Sequence, residues 1–144
     1  MNKLGDLSCN EFLTELASAA PAPGGGGGAA MAGALAAALA SMVANLTIGK
    51  EKFAECEPEV KELLKQAEAE RVRLLTLVDE DAAVFNSFMS CYKLPKTTDE
   101  EKAARTAAIR AAAKQAATVP LNIARSSFAV LKLADRLVVS GNQA

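Results

Sequence analysis

"PAPGGGGGAAMAGALAAALASM", residues 21–42, sets five consecutive glycines against a helix almost bare of side chains. Glycine loses more conformational freedom on folding than any other residue, so such a run is unfavourable unless something exploits it. Two readings are open. The run is a turn between antiparallel helices, or it is a backbone cradle whose free N–H groups, at a helix N-terminus, face a polar or anionic ligand. The stretch lacks the Lys-Ser/Thr ending of a Walker loop, and no strand precedes it, so neither nucleotide-binding fingerprint applies. The residues after the glycines set the architecture. A helix is expected from about Gly28 to Ile48, and its Gly33/Ala37 and Ala30/Ala34 pairs let a neighbouring backbone come close. It is also apolar enough to raise a membrane span, but small residues make a weak insertion signal, so a close-packed core helix and no membrane are expected.

The rest of the chain agrees with helices. Its 144 residues are 51% hydrophobic and only 4% aromatic, with no Trp, so the apolar content is mostly Ala, Leu and Val. That composition suits close-packed helices in one domain, taken as residues 1–144. Ser8 and Glu11 form an S-x-x-E capping box, with Leu7 placed to staple onto Phe12. Phe12, Leu13, Leu16 and Ala20 then recur on one face, and Pro21 and Pro23 stop the helix. From Pro58 to Tyr92, Val60, Leu64, Ala67, Leu74, Val78, Phe85, Phe88 and Tyr92 predict one long amphipathic helix. Its seam is interrupted by two charges, Arg71 and Asp81. Thr98 and Glu101 form a second capping box, opening an alanine-rich helix that Pro120 should kink or divide. Leu121, Ala124, Phe128, Leu131 and Val138 make a final stripe, and Gly141 a stop. No stretch alternates with period two. The expected fold is all-α, an antiparallel helical bundle with one long central helix.

Composition also prunes the chemistry. The chain has no histidine, which excludes Ser-His and Cys-His mechanisms and imidazole zinc sites. Proton transfer must run through Asp, Glu, Lys, Tyr, Cys or water. A formal net charge of -1 offers no basic footprint for nucleic acid. Three cysteines, Cys9, Cys56 and Cys91, lack metal-ligand spacing and read as reduced cytoplasmic thiols, with Cys56 and Cys91 as small buried apolar residues. Asp79 and Asp81 lie on different faces of the long helix. Asp81 shares its face with Leu74, Val78 and Phe85, where a carboxylate is costly to bury unless paired. It is either paired with Arg71 or a lysine of another helix, or it is an acid/base or cation-stabilising group. Two short basic loops, "GKEKF" and "YKLPK", could clamp an anionic tail if the fold brings them together.

The segments "PAPGGGGGAAMAGALAAALASMVANLTIGKEKF" and "DEDAAVFNSFMSCYKLPK", then Arg105, "AIRAA", "ATVPLNIA" and a terminal "GN", occur in that order from about Phe12 to Asn142. Together they resemble the formiminotetrahydrofolate cyclodeaminase / methenyltetrahydrofolate cyclohydrolase family. The resemblance implies an all-helical folate enzyme without metal or redox cofactor, acting on a tetrahydrofolate derivative as a homodimer or higher oligomer. It implies Asp81 as acid/base or electrostatic partner, with Asp79 second. Gly24, Gly25, Gly26, Gly27 and Gly28 would admit the folate, Lys50 and Lys96 would meet its glutamate tail, and Arg105 and Asn142 would complete the binding set. Two departures stand out. Gly27 occupies the place of a family Ser or Thr, and the family continues past "GN" with a Ser-Asp motif and further helices, whereas this sequence ends at Ala144. The rival readings are a non-catalytic helical assembly module and an acyl- or nucleotide-binding bundle.

Overall fold

A computed structural model describes residues 3–142. Among them are four α-helices and no strand: α1 (Cys9–Leu16), α2 (Gly25–Thr47), α3 (Glu57–Cys91) and α4 (Asp99–Ser140). At about 1.5 Å per residue, α3 and α4 are rods of roughly 50 and 60 Å, while α2 reaches about 34 Å. Both predicted capping boxes form, Ser8 with Glu11 and Thr98 with Glu101. Leu7 packs against the core cluster that holds Phe12, as a hydrophobic staple would.

The long central helix is α3, which packs along both α2 and α4. Its pairing with α2 is antiparallel. The start of α2 sits beside Asp81, and just past its end the Gly49 N–H donates to Glu57 at 3.0 Å. It is antiparallel to α4 as well, since Arg105 meets Tyr92 at one end and Arg136 pairs with Glu59 at the other. The small side chains of α2 make this closeness possible. Gly27, Ala30, Ala34, Ala37, Ser41 and Ala44 are buried at steps of three and four, a stripe of small residues facing its neighbours. A Cβ on Gly33 would fall 2.9 Å from Ser127 Oγ and 3.2 Å from Leu74, so glycine there keeps α2 close to α3 and α4. By length and composition α2 could cross a membrane; here its small-residue stripe is core.

Four details depart from the expectations above. First, α2 begins at Gly25 rather than Gly28, so four of the five glycines are helical. Second, α1 ends at Leu16, well before Pro21, and leaves Ala20 outside it and Leu13 exposed. Third, α4 is not divided at Pro120. A proline inside a helix costs about 3 kcal/mol, and here Val119 and Ile123 on either side hold the helix in the core. Fourth, the stripe Leu121, Phe128, Leu131 and Val138 faces outward. The residues of α4 that enter the core are Val119, Ile123, Val130, Leu133 and Leu137. α4 is apolar on two sides, and the bundle covers one. Likewise Cys56 and Cys91 are half-buried rather than buried, and Cys9 is exposed.

Candidate functional site

The first turn of any helix leaves N–H groups without partners inside the helix. In α2 that turn is made of glycine, and α3 supplies the cap. The Gly27 N–H donates to Asp81 Oδ2 at 2.9 Å, and the Gly28 N–H closes the turn onto the Gly24 carbonyl at 2.9 Å. Among the described residues, the Gly25 and Gly26 N–H groups are left without an acceptor. A carboxylate at this position is also favoured by the positive end of the helix dipole. Asp81 is therefore explained neither by Arg71 nor by a lysine: the ion pairs among the described residues do not include it. Arg71 instead holds Glu68, Nη2 to Oε2 at 2.7 Å, and Ser41 donates to the same carboxylate at 2.6 Å.

The carboxylate dictates the glycine beneath it. A Cβ on Gly26 would overlap the Asp81 carboxylate, meeting its Cγ at 2.6 Å. A Cβ on Gly27 would meet Pro23 at 3.5 Å, and one on Gly28 would meet Leu16 at 3.2 Å. At Gly25 there is open space. The run thus combines one position, Gly26, where a Cβ would displace the Asp81 carboxylate, one tight position, Gly28, one ordinary contact at Gly27 and one open position, Gly25.

Asp81 and the glycine turn open onto a cavity of about 370 Å³. Pro21, Ala22, Gly24, Gly25 and Gly26 form one wall, and Val84, Phe85, Ala116 and Pro120 form the apolar side facing it. Half-buried Asp81 brings a negative charge, and the free glycine N–H groups bring neutral donors. A ligand that joins a positive centre to a hydrogen-bond acceptor fits that combination.

The other anticipated residues lie elsewhere. Asp79 faces the N-terminal segment, where Oδ1 accepts from the Leu4 N–H at 2.7 Å, and it lines a separate cavity with Gly5 and Thr76. Lys50 follows α2, and the Asn142 N–H donates to Thr47 Oγ1 at 2.8 Å. These two therefore sit at the far end of α2, about 33 Å from Gly25 by helical rise. Arg105 donates to the Tyr92 carbonyl at 3.3 Å and lies over the Tyr92 ring, and exposed Lys96 occupies the α3–α4 connection. That connection is about 16 Å along α3 from Asp81. Of the anticipated residues, Asp81, Gly24, Gly25 and Gly26 share one cavity, and Asp79, Lys50, Lys96, Arg105 and Asn142 lie outside it. Ala116 and Pro120 were not legible as wall residues; the one signal was a proline placed inside a helical pattern.

The sequence profile of formiminotransferase-cyclodeaminase matches residues 8–144. This chain belongs to that family. It is 48% identical over 138 residues to the methenyltetrahydrofolate cyclohydrolase of Methylorubrum extorquens, covering 96% of this chain and 66% of that protein. It is 37% identical over 133 residues to the formimidoyltransferase-cyclodeaminase of Sus scrofa, covering 92% of this chain and 25% of that protein. In three dimensions it matches the formiminotetrahydrofolate cyclodeaminase of Thermotoga maritima with a TM-score of 0.83 at 32% identity. That match covers 98% of this chain and 66% of the other. The chain thus spans just under two thirds of the cyclohydrolase and of the solved cyclodeaminase, and a quarter of the transferase-cyclodeaminase.

Proposed function

We propose that this chain carries the catalytic cavity of a folate one-carbon enzyme, a methenyltetrahydrofolate cyclohydrolase or the sibling formiminotetrahydrofolate cyclodeaminase. The observation that carries the proposal is the Asp81 carboxylate held over the glycine turn, at the mouth of a cavity with free backbone donors. Family membership and the names of the relatives support folate as the substrate class. The 48% identity to a cyclohydrolase favours hydrolysis, while the three-dimensional match to a cyclodeaminase keeps ammonia release as the second reading.

One site can serve both reactions. In cyclodeamination, N10 of formiminotetrahydrofolate attacks the carbon of the formimino group, protonated on its terminal nitrogen, and forms the second C–N bond. The N10 proton moves to the formimino nitrogen, which leaves as ammonia, and the 5,10-methenyl cation remains. In hydrolysis, water adds to that cation and gives up one proton; as the C–N5 bond breaks, the remaining hydroxyl proton leaves the new formyl oxygen and N5 takes up a proton, giving 10-formyltetrahydrofolate and one net proton. Asp81 serves both as the proton carrier and as the negative charge facing the amidinium-like centre. Gly25 and Gly26 hold an acceptor edge of the substrate with their N–H groups. No metal or redox cofactor takes part, and the enzyme works in the cytoplasm, off the membrane and without nucleic acid.

The same proposal includes a homodimer. Leu35, Leu39, Met42 and Leu46 stand exposed at steps of four, three and four along α2, the spacing of a helix–helix seam. Phe128, Leu131 and Val138 of α4 are exposed too, and a groove of about 430 Å³ runs between α2 and α4 from Ala36 to Asn142. A contiguous apolar face of this kind is an association surface. Lys50, about 33 Å from the glycine turn along α2, would meet a substrate's glutamate tail only in a partner's cavity, whereas Lys96, about 16 Å from Asp81 along α3, is within reach of the tail in one chain. Near-ultraviolet absorbance of methenyltetrahydrofolate tests the activity. Its appearance from the formimino substrate marks a cyclodeaminase, its disappearance beyond the spontaneous rate marks a cyclohydrolase, and neither change in a folded, dimeric sample refutes the reading.

A further inference from the structure

We infer that the backbone carbonyl of Ala116 is a substrate-binding group, and that Pro120 is present in α4 to keep that carbonyl free. This inference rests on the folate reading of the cavity. Proline has no N–H, so Pro120 cannot donate to the carbonyl four residues earlier, which belongs to Ala116. α4 nevertheless continues unbroken from Asp99 to Ser140, so a continuous helix contains one acceptor deprived of its usual donor. Residues four apart lie on one face of a helix, and the carbonyl of the first is directed toward the second. Ala116 and Pro120 both line the cavity that contains Asp81, Gly25 and Gly26, which puts the carbonyl between them on the cavity side. The proline ring pushes that carbonyl outward, away from the helix axis.

The cavity then presents donors on the α2 wall and an acceptor on the α4 wall. A fused ring with adjacent carbonyl and N–H groups matches that arrangement. The pterin of a tetrahydrofolate is such a ring, with a ring carbonyl for the glycine N–H groups and an amino or ring N–H for the Ala116 carbonyl. Phe85 of α3, which also lines the cavity, supplies an apolar surface for the ring. The pterin, rather than the glutamate tail, is thereby placed between α2 and α4.

Two substitutions of the full chain, Pro120→Ala and Pro120→Val, test this. Each restores an N–H at position 120 and so returns a helical donor to Ala116, while Val keeps more of the apolar bulk. The melting temperature and the affinity for 5-formyltetrahydrofolate, an unreactive one-carbon folate, are measured for both and for the parent chain. The expected result is a higher melting temperature and an affinity weakened about tenfold in both variants, the loss of one hydrogen bond. Normal affinity in both overturns the inference, as does a loss in Ala that Val does not share, which would identify contact with the proline ring. A lower melting temperature in both also overturns it, because the helix would then not be missing a bond at Ala116. A parent chain that binds no 5-formyltetrahydrofolate overturns the folate reading itself, and this inference with it.

Discussion

Two adjacent glycines should respond in opposite ways to the same methyl group. Gly25→Ala places its Cβ in open space on a helical residue. It should stabilise the fold by about 0.5–1 kcal/mol, by reducing the freedom of the unfolded chain, and leave the Asp81 carboxylate in place. Gly26→Ala drives its Cβ into the Asp81 carboxylate, so it should displace that group and lower turnover sharply. Thermal unfolding and methenyl absorbance measured on both variants check this. Asp81→Asn should act differently from either. Asparagine still accepts from the Gly27 N–H, so the cap and the melting temperature should be largely kept, while turnover falls on the order of 10²–10³ with the charge. A variant that melts early yet keeps its rate per folded molecule would reduce Asp81 to a cap. The sequence marks Asp81 as out of place on an apolar face, but its partner lies 54 residues away and is a backbone group, which no side-chain pattern reveals. Arg71 suggests itself as the partner because the two charges share a seam; its actual partner, Glu68, is one turn away.

At the scale of elements, local signals are legible in the sequence and tertiary ones are not. Each capping box is written within four residues, and both form. Glycine propensity argues against helix and so delays the expected start of α2, whereas the Asp81 cap and core packing of Gly27 and Ala30 override it. Proline propensity misleads at Pro120 for the same reason. The α2–α3 contact carries a pH signature. Arg71, and secondarily Ser41, hold Glu68 below its ordinary value of 4.5. A depressed carboxylate stabilises the fold fully above its unfolded value and loses that contribution as pH falls through the folded one. Melting temperature against pH should therefore fall less steeply below about 4.5 in Glu68→Gln than in the parent chain. Parallel curves would show that the pair, which is partly open to solvent, adds nothing measurable.

Over the whole molecule, the bundle covers one apolar side of α2 and α4 and leaves another open. Periodicity finds the stripe on α4 but does not say which side faces the core, because both sides of that helix are apolar. Leu39 lies in the open groove between the two helices. If the proposed dimer forms through this face, Leu39→Glu should yield a monomer by light scattering at micromolar concentration where the parent chain is a dimer, with helicity kept, because a charge in an apolar seam has no partner. The residues the resemblance implies for binding divide along the same axis, with Asp81 and the glycine turn at one end of α2 and Lys50 and Asn142 at the other. Hydrogen exchange with and without 5-formyltetrahydrofolate reads the whole chain at once and decides which end holds the ligand. Ligand-dependent protection is expected in segments 21–28, 79–85 and 114–121. Protection confined to 36–50 and 134–142, around the apolar groove and the far end of α2, would remove the ligand from the Asp81 cavity.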